Sequence, residues 1–207
     1  MRYKPEYLLI AAMSAFALTG VVATALEDPE PPVVTVDPIV VPLPPSEGDL
    51  ADARIWFESV RRYCNPVEVE TRLRWQPAPP TPEGDMHEAA CYALAGKVQS
   101  ARQVIQRLPE GQRLQAAGLV FEAGHPAADA GDETAAGPLM ELVVEFWPNH
   151  YMALYHAGAA RFEAQSDLAA RRYLERFLAE YGVEDGWRES AERMLAELDA
   201  RPVRRGR

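Results

Sequence analysis

Residues 86–109, MHEAACYALAGKVQSARQVIQRLP, decide the reading when they are set beside residues 151–182, YMALYHAGAARFEAQSDLAARRYLERFLAEYG. In the first stretch Ala89 is followed by Gly96 and then Ala101, with Ile105, Leu108 and Pro109 beyond. In the second, Gly158 precedes Ala170 by the same 12 residues that separate Ala89 from Ala101. Leu174 and Phe177 then stand where Ile105 and Leu108 stood. Midway lies Ala136, with Met140 and Val143 at the matching offsets and Pro148 closing the unit. Small residues at such places let paired helices approach closely, and the large residues beyond them fill the layer to the next pair. Tyr151–Gly182 therefore reads as a helical pair built to pack, with Ser166 and Asp167 supplying the turn and N-cap between its helices.

This pattern resembles the tetratricopeptide repeat, whose period is about 34 residues. The resemblance covers residues 86–182. Repeat one (86–109) departs from the family in Glu88, where a large apolar residue is preferred. Repeat three (151–182) has Gln165 in place of the turn glycine and Arg161 where an aromatic is usual. Repeat two departs most: its first helix is expected over 111–124, followed by a long loop over 125–137, so its second helix must start near Pro138. The resemblance implies an all-α fold, a right-handed stack of antiparallel helix pairs forming an α-solenoid, with a terminal helix at 185–199 as a solvating cap. It also implies a groove lined by the first helix of each pair. Carried over by residue, that face is Met152, Tyr155, Ala159, Phe162 and Glu163 in repeat three, and Met86, Ala90, Ala93 and Leu94 in repeat one. A Met- and aromatic-lined groove suits an apolar peptide or helix.

The segments before the repeats set the context. Arg2 and Lys4 precede an apolar run from Tyr7 to Leu26, and Glu27, Asp28 and Glu30 follow it. Positive charge before the run and negative charge after it orient the start inward and the rest outward. Two readings of residues 1–26 stay open. One is a membrane anchor, whose 20 apolar-run residues give about 30 Å of helix. The other is a secretory signal peptide cleaved after Ala23-Thr24-Ala25. Both place the remainder outside the cytoplasm, in the periplasm of a bacterial envelope. There Cys64 and Cys91 are expected to pair rather than remain two buried thiols, which would stabilise the fold by roughly 3 kcal/mol.

Residues 27–47 form a proline-rich linker. Prolines at 29, 31, 32, 38, 42, 44 and 45 remove backbone donors and fix φ, so an extended spacer is expected. The helical domain is placed at 48–200. Its first helix runs from Asp49 as N-cap through Leu50, Ala53, Trp56, Phe57 and Val60. Asn65-Pro66 stops that helix and opens another, while WQPAPPTPEGD (75–85) reads as loop. The intervening VEVETRLR alternates like a strand, but in an all-helical setting a short helix is expected. Residues 201–207, RPVRRGR, are a basic tail.

No nucleic-acid surface is expected, because the 207-residue chain carries a formal charge of −10 and its one basic cluster is that tail. Nor do the motifs point to catalysis. His87 and Cys91 lie at i, i+4 without a third metal ligand. His125-Pro126 opens a segment with Asp129, Asp132 and Glu133 whose spacing matches no calcium loop. His150 and His156 are six apart and share no helix face, and Glu141 and Glu145 have no evident pocket to shift a pKa. The expectation is therefore no cofactor, no metal and no enzymatic activity. The function expected is a membrane-anchored extracytoplasmic scaffold that binds protein partners and assembles an envelope or membrane complex. The alternatives are a soluble periplasmic accessory factor of a cell-envelope enzyme, or an accessory subunit of a membrane energy-transducing complex.

Overall fold

A computed structural model describes residues 47–201; the apolar run 7–26, the proline-rich linker up to Ser46 and the tail 202–207 lie outside the described residues. Every regular element among the described residues is helical. α1 (Glu47–Val60) runs into a short 3₁₀ turn (Arg61–Tyr63), and α2 (Val69–Trp75) follows. The helix start at Glu47 places Asp49 inside α1 rather than at its N-cap. Asn65 opens the next segment: its side-chain oxygen accepts from the backbone N–H of Val67 and of Glu68, each at 3.1 Å. The alternating VEVETRLR is helical, burying Val69 and Leu73, four residues apart on one face. The loop after α2 is shorter than expected. Pro82 already starts α3 (Pro82–Leu94), because Thr81 accepts from the N–H of Gly84 at 3.1 Å and Pro at the first position has no N–H to lose.

Three helical hairpins follow: α3 with α4 (Val98–Arg107), α5 (Glu110–Asp129) with α6 (Glu133–Phe146), and α7 (Tyr151–Glu163) with α8 (Asp167–Glu180). Their turns share one backbone geometry. Gly96, Gly131 and Gln165 each take a left-handed conformation, with φ of 68°, 82° and 54°. Around each, the next residue reaches five back: Lys97 N–H to the Tyr92 carbonyl, Asp132 to Ala127, and Ser166 to Arg161, at 2.9 to 3.0 Å. This is the double-bonded helix C-terminus that ends a helix tightly and turns the chain back. Glycine adopts it freely, whereas Gln165 does so against its Cβ.

The second helices bury the expected residues in register. Ala101, Ile105 and Leu108 in and after α4, Ala136, Met140 and Val143 in α6, and Ala170, Leu174 and Phe177 in α8 all lie in the core. Two glycines make close approaches possible. A Cβ on Gly137 would stand 2.4 Å from the Cβ of Ala160, and one on Gly158 would stand 2.7 Å from a methyl of Leu174. Neither helix pair could keep its separation with a larger residue there. Each hairpin packs on the next, but differently: α3 packs on α5 at the first joint, and α6 on α7 at the second.

Repeat two corrects the sequence reading. There is no long loop over 125–137: α5 continues through Pro126 to Asp129, and α6 begins at Glu133, with Pro138 five residues inside it. Asp132 caps α6 by accepting from the N–H of Ala135 at 3.0 Å. Each proline removes one intrahelical bond. Pro126 does so within the last turn of α5, and its ring is exposed. Packing outweighs the loss, since Gly124 lets Leu139 of α6 come against α5.

The ends are closed by α1 and by α9 (Gly186–Ala200). α1 lies on α3, and Cys64 and Cys91 are joined as a disulfide with Cα atoms 4.9 Å apart. α9 is capped by Asp185, whose carboxylate accepts from the N–H of Trp187 and of Arg188. It buries Ala191, Met194 and Leu198 along one stripe, with Leu195 half-buried beside them, and is mostly polar elsewhere.

Candidate functional site

The face predicted to line a groove divides in two. On α3, Met86, Ala90 and Ala93 are core residues, and Leu94 is half-buried. α3 is enclosed by neighbours, with α1, α4 and α5 all packed against it. Ala90 alone of these borders a cleft, of about 430 Å³, shared with Phe57, Arg61, His87, Leu119 and Glu122. On α7, Tyr155 and Ala159 are buried, Met152 and Phe162 are half-buried, and Glu163 is exposed. α9 covers this face: the Tyr155 ring meets Trp187 edge-on at 4.9 Å, and its hydroxyl donates to Ser190 Oγ at 3.0 Å. Between the two helices a cleft of about 300 Å³ remains, bordered by Tyr155, Ala159, Phe162, Glu163, Arg193 and Met194. The terminal helix thus occupies part of the surface that the repeat pattern leaves open. A third depression, of about 350 Å³, lies on α2 and is bordered by Tyr63, Val67, Arg72 and Trp75. Val67 and Trp75 are 85 % and 81 % exposed, so this is an uncovered apolar surface.

The acidic and histidine residues weighed for chemistry have different fates. Cys91 is taken by the disulfide, and His87 packs on Phe57 with its Nδ1 2.8 Å from the Glu83 carbonyl. Glu141 and Glu145 each hold an arginine from another helix. Arg161 of α7 grips Glu141 with two nitrogens, and Arg102 of α4 reaches both oxygens of Glu145 at 2.7 and 3.0 Å. Paired in this way, they join helices across the packing seams. Glu88 is half-buried beside Asp85, and burial first, then Asp85, raises its carboxyl above the usual range.

Three histidines that the sequence separates come together. His156 is almost wholly buried on α7, and its Nδ1 is 2.9 Å from a carboxylate oxygen of Glu133, the buried first residue of α6. His125 lies near the end of α5, its ring 5.3 Å from that of His156 and its Nδ1 3.4 Å from Asp129. His150 lies tilted against Phe121, ring centroids 4.1 Å apart, and caps α7 through its Nδ1, which accepts from the N–H of Ala153 at 3.2 Å. Burial lowers the His150 pKa from its ordinary value, and nearby His125 adds to that. The signal was present in sequence: continued as a helix, α5 places His125 and Asp129 at i, i+4. Reading a loop there removed it.

No protein-family model matches the chain, and no curated protein or solved structure matches it.

Proposed function

We propose that this protein is a non-enzymatic scaffold of the tetratricopeptide-like kind, a right-handed α-solenoid held at the outer face of a membrane by its N-terminal segment. It binds protein partners and assembles or steadies a membrane or envelope complex. The observation that carries this reading is the repetition of one turn at Gly96, Gly131 and Gln165, 35 and 34 residues apart, with the same buried triplet after each. Repeating hairpins of this length bury their own seams and leave extended outer surfaces for other chains. Partner contact is expected at the uncovered apolar surface of α2 around Val67 and Trp75, and at the cleft between α7 and α9, both large enough to take a side chain of a partner helix. The buried face of α3 is not part of it.

The test is extraction of the full chain in mild detergent. Elution with partner proteins at constant stoichiometry, weakened by Trp75→Glu, is the expected result. A solitary monomer across conditions, or co-elution indifferent to Trp75→Glu and to Phe162→Glu, would overturn it. The second reading, a processed soluble accessory factor, rests on Ala23-Thr24-Ala25. The mature N-terminus separates the two: Leu26 means cleavage, Met1 or Arg2 an anchor. Service as a subunit of an energy-transducing complex is a special case of the first reading and would appear as pigment- or haem-bearing partners.

A further inference from the structure

We propose that His125, Asp129 and His156 form a binding site for one divalent transition-metal ion, zinc foremost, at the junction of the second and third hairpins. One donor atom from each of the three lies within 4.8 Å of the donors of the other two. A four-coordinate zinc with bonds of about 2.0–2.1 Å holds its ligand atoms about 3.4 Å apart, so modest side-chain rotation closes the site.

The environment of the two rings supports a ligand between them. Four buried side-chain polar atoms among the described residues have no hydrogen-bond partner, and three sit here: Nε2 of His125, Nε2 of His156 and one oxygen of Glu133. Buried polar atoms are almost always partnered, so three orphans together call for a ligand. His156 has its Nδ1 turned to Glu133 at 2.9 Å, while His125 and Asp129 stand side by side with Nδ1 3.4 Å from the carboxylate, near enough for both to reach one ion. At His156 the carboxylate of Glu133 behind Nδ1 fixes the proton there and leaves the Nε2 lone pair free for a metal. His156, only 1 % exposed, is the anchor of the site, while Asp129 with half its side chain in solvent gives the ion a way in.

The donor set selects the ion. Two imidazoles with a carboxylate suit zinc, copper or nickel, whereas calcium and magnesium ask for oxygen throughout. Charge is balanced, because the carboxylates of Asp129 and Glu133 match the two positive charges of the ion. His150 is not a ligand: its Nδ1 lone pair is used by the N–H of Ala153. A water would complete four-fold coordination. Since the ligands come from α5 and α7 and the supporting Glu133 from α6, the ion would bind two hairpins to each other.

The experiment uses the untagged full chain in mild detergent, stripped with a chelator and titrated with Co²⁺ as a spectroscopic stand-in, then with Zn²⁺ in competition. The expected result is saturation at one equivalent, visible ligand-field absorption that Zn²⁺ abolishes, and a rise in the unfolding midpoint with Zn²⁺. Glu133→Gln should weaken binding by about ten- to a hundredfold, as loss of a supporting carboxylate does. His125→Gln and Asp129→Asn, both partly exposed and therefore folded, should weaken it by more, and His150→Asn should leave it unchanged. Absence of stoichiometric binding would mean that ordered water satisfies the three atoms. That result, or a His125→Gln protein that binds like the original, would overturn the assignment.

Discussion

The two ends of the helical region are closed by different chemistry. At one, α1 is tied to α3 by the Cys64–Cys91 bond, and Trp56 adds a bond from its indole N–H to the Gln76 carbonyl at 3.1 Å. At the other, α9 is held by non-covalent contacts: the stripe of Ala191, Met194 and Leu198, Trp187 against Tyr155, the Tyr155–Ser190 hydrogen bond, Arg188 donating to the carbonyls of Leu178 and Tyr181, and ion pairs of Arg171 with Asp199 and of Arg201 with Asp167. The difference follows from what each end can bury. α1 offers Trp56, Phe57 and Val60 to the core, but the short α2 beside it buries only two residues and leaves Trp75 in solvent. A cross-link compensates for that thin cover by restricting the unfolded chain. α9 is longer and amphipathic, and its packing suffices.

The largest test of this contrast is Cys64→Ala with Cys91→Ala. Opening a bridge between residues 27 apart should lower unfolding stability by about 3 kcal/mol in urea titration. Limited proteolysis should then cut first before residue 76. A loss spread evenly over both ends would break the comparison. Next comes Met194→Ala at the other end, expected to cost about 2.5 kcal/mol by leaving a cavity under α9, with amide exchange accelerated in α9 and unchanged in α1. Smallest is Arg171→Ala. Its ion pair with Asp199 lies in water, where such pairs contribute little. The unfolding midpoint should not move measurably; a clear drop would show that α9 is held by charge as much as by its apolar stripe.

Much of the fold was readable because it rests on short-range rules. The spacing of Ala101, Ile105 and Leu108, repeated at Ala136 and Ala170, places small and large residues on the buried side of three helices, and all of them are buried. Two things misled. Pro126 and Pro138 carry strong local meaning, and a local reading ends helices at them. The tight contact of Gly124 with Leu139 and the caps at Asp132 and Gly131, which decide otherwise, depend on a second helix being in place. The histidine cluster was hidden by the same step, since it exists only if α5 reaches Asp129. On α3 the residues expected to line a groove, Met86, Ala90 and Ala93, are buried, and α3 is flanked by α1 as well as by α4 and α5; the repeat pattern says nothing of α1, which lies outside it.

The bridge at Cys64 also fixes how the molecule would respond to tension. Any load drawn along the chain from before Glu47 enters α1, peels it residue by residue, and is arrested when it reaches a covalent junction into the first hairpin. Only the 16 residues between Glu47 and Cys64 can pay out, a stretch about 60 Å long at full extension, of which the folded helix already spans about 20 Å. Beyond that length the pull bypasses the greasy contacts of α1 and is borne by α3, so the body behaves as a tethered block with a short, built-in shock absorber.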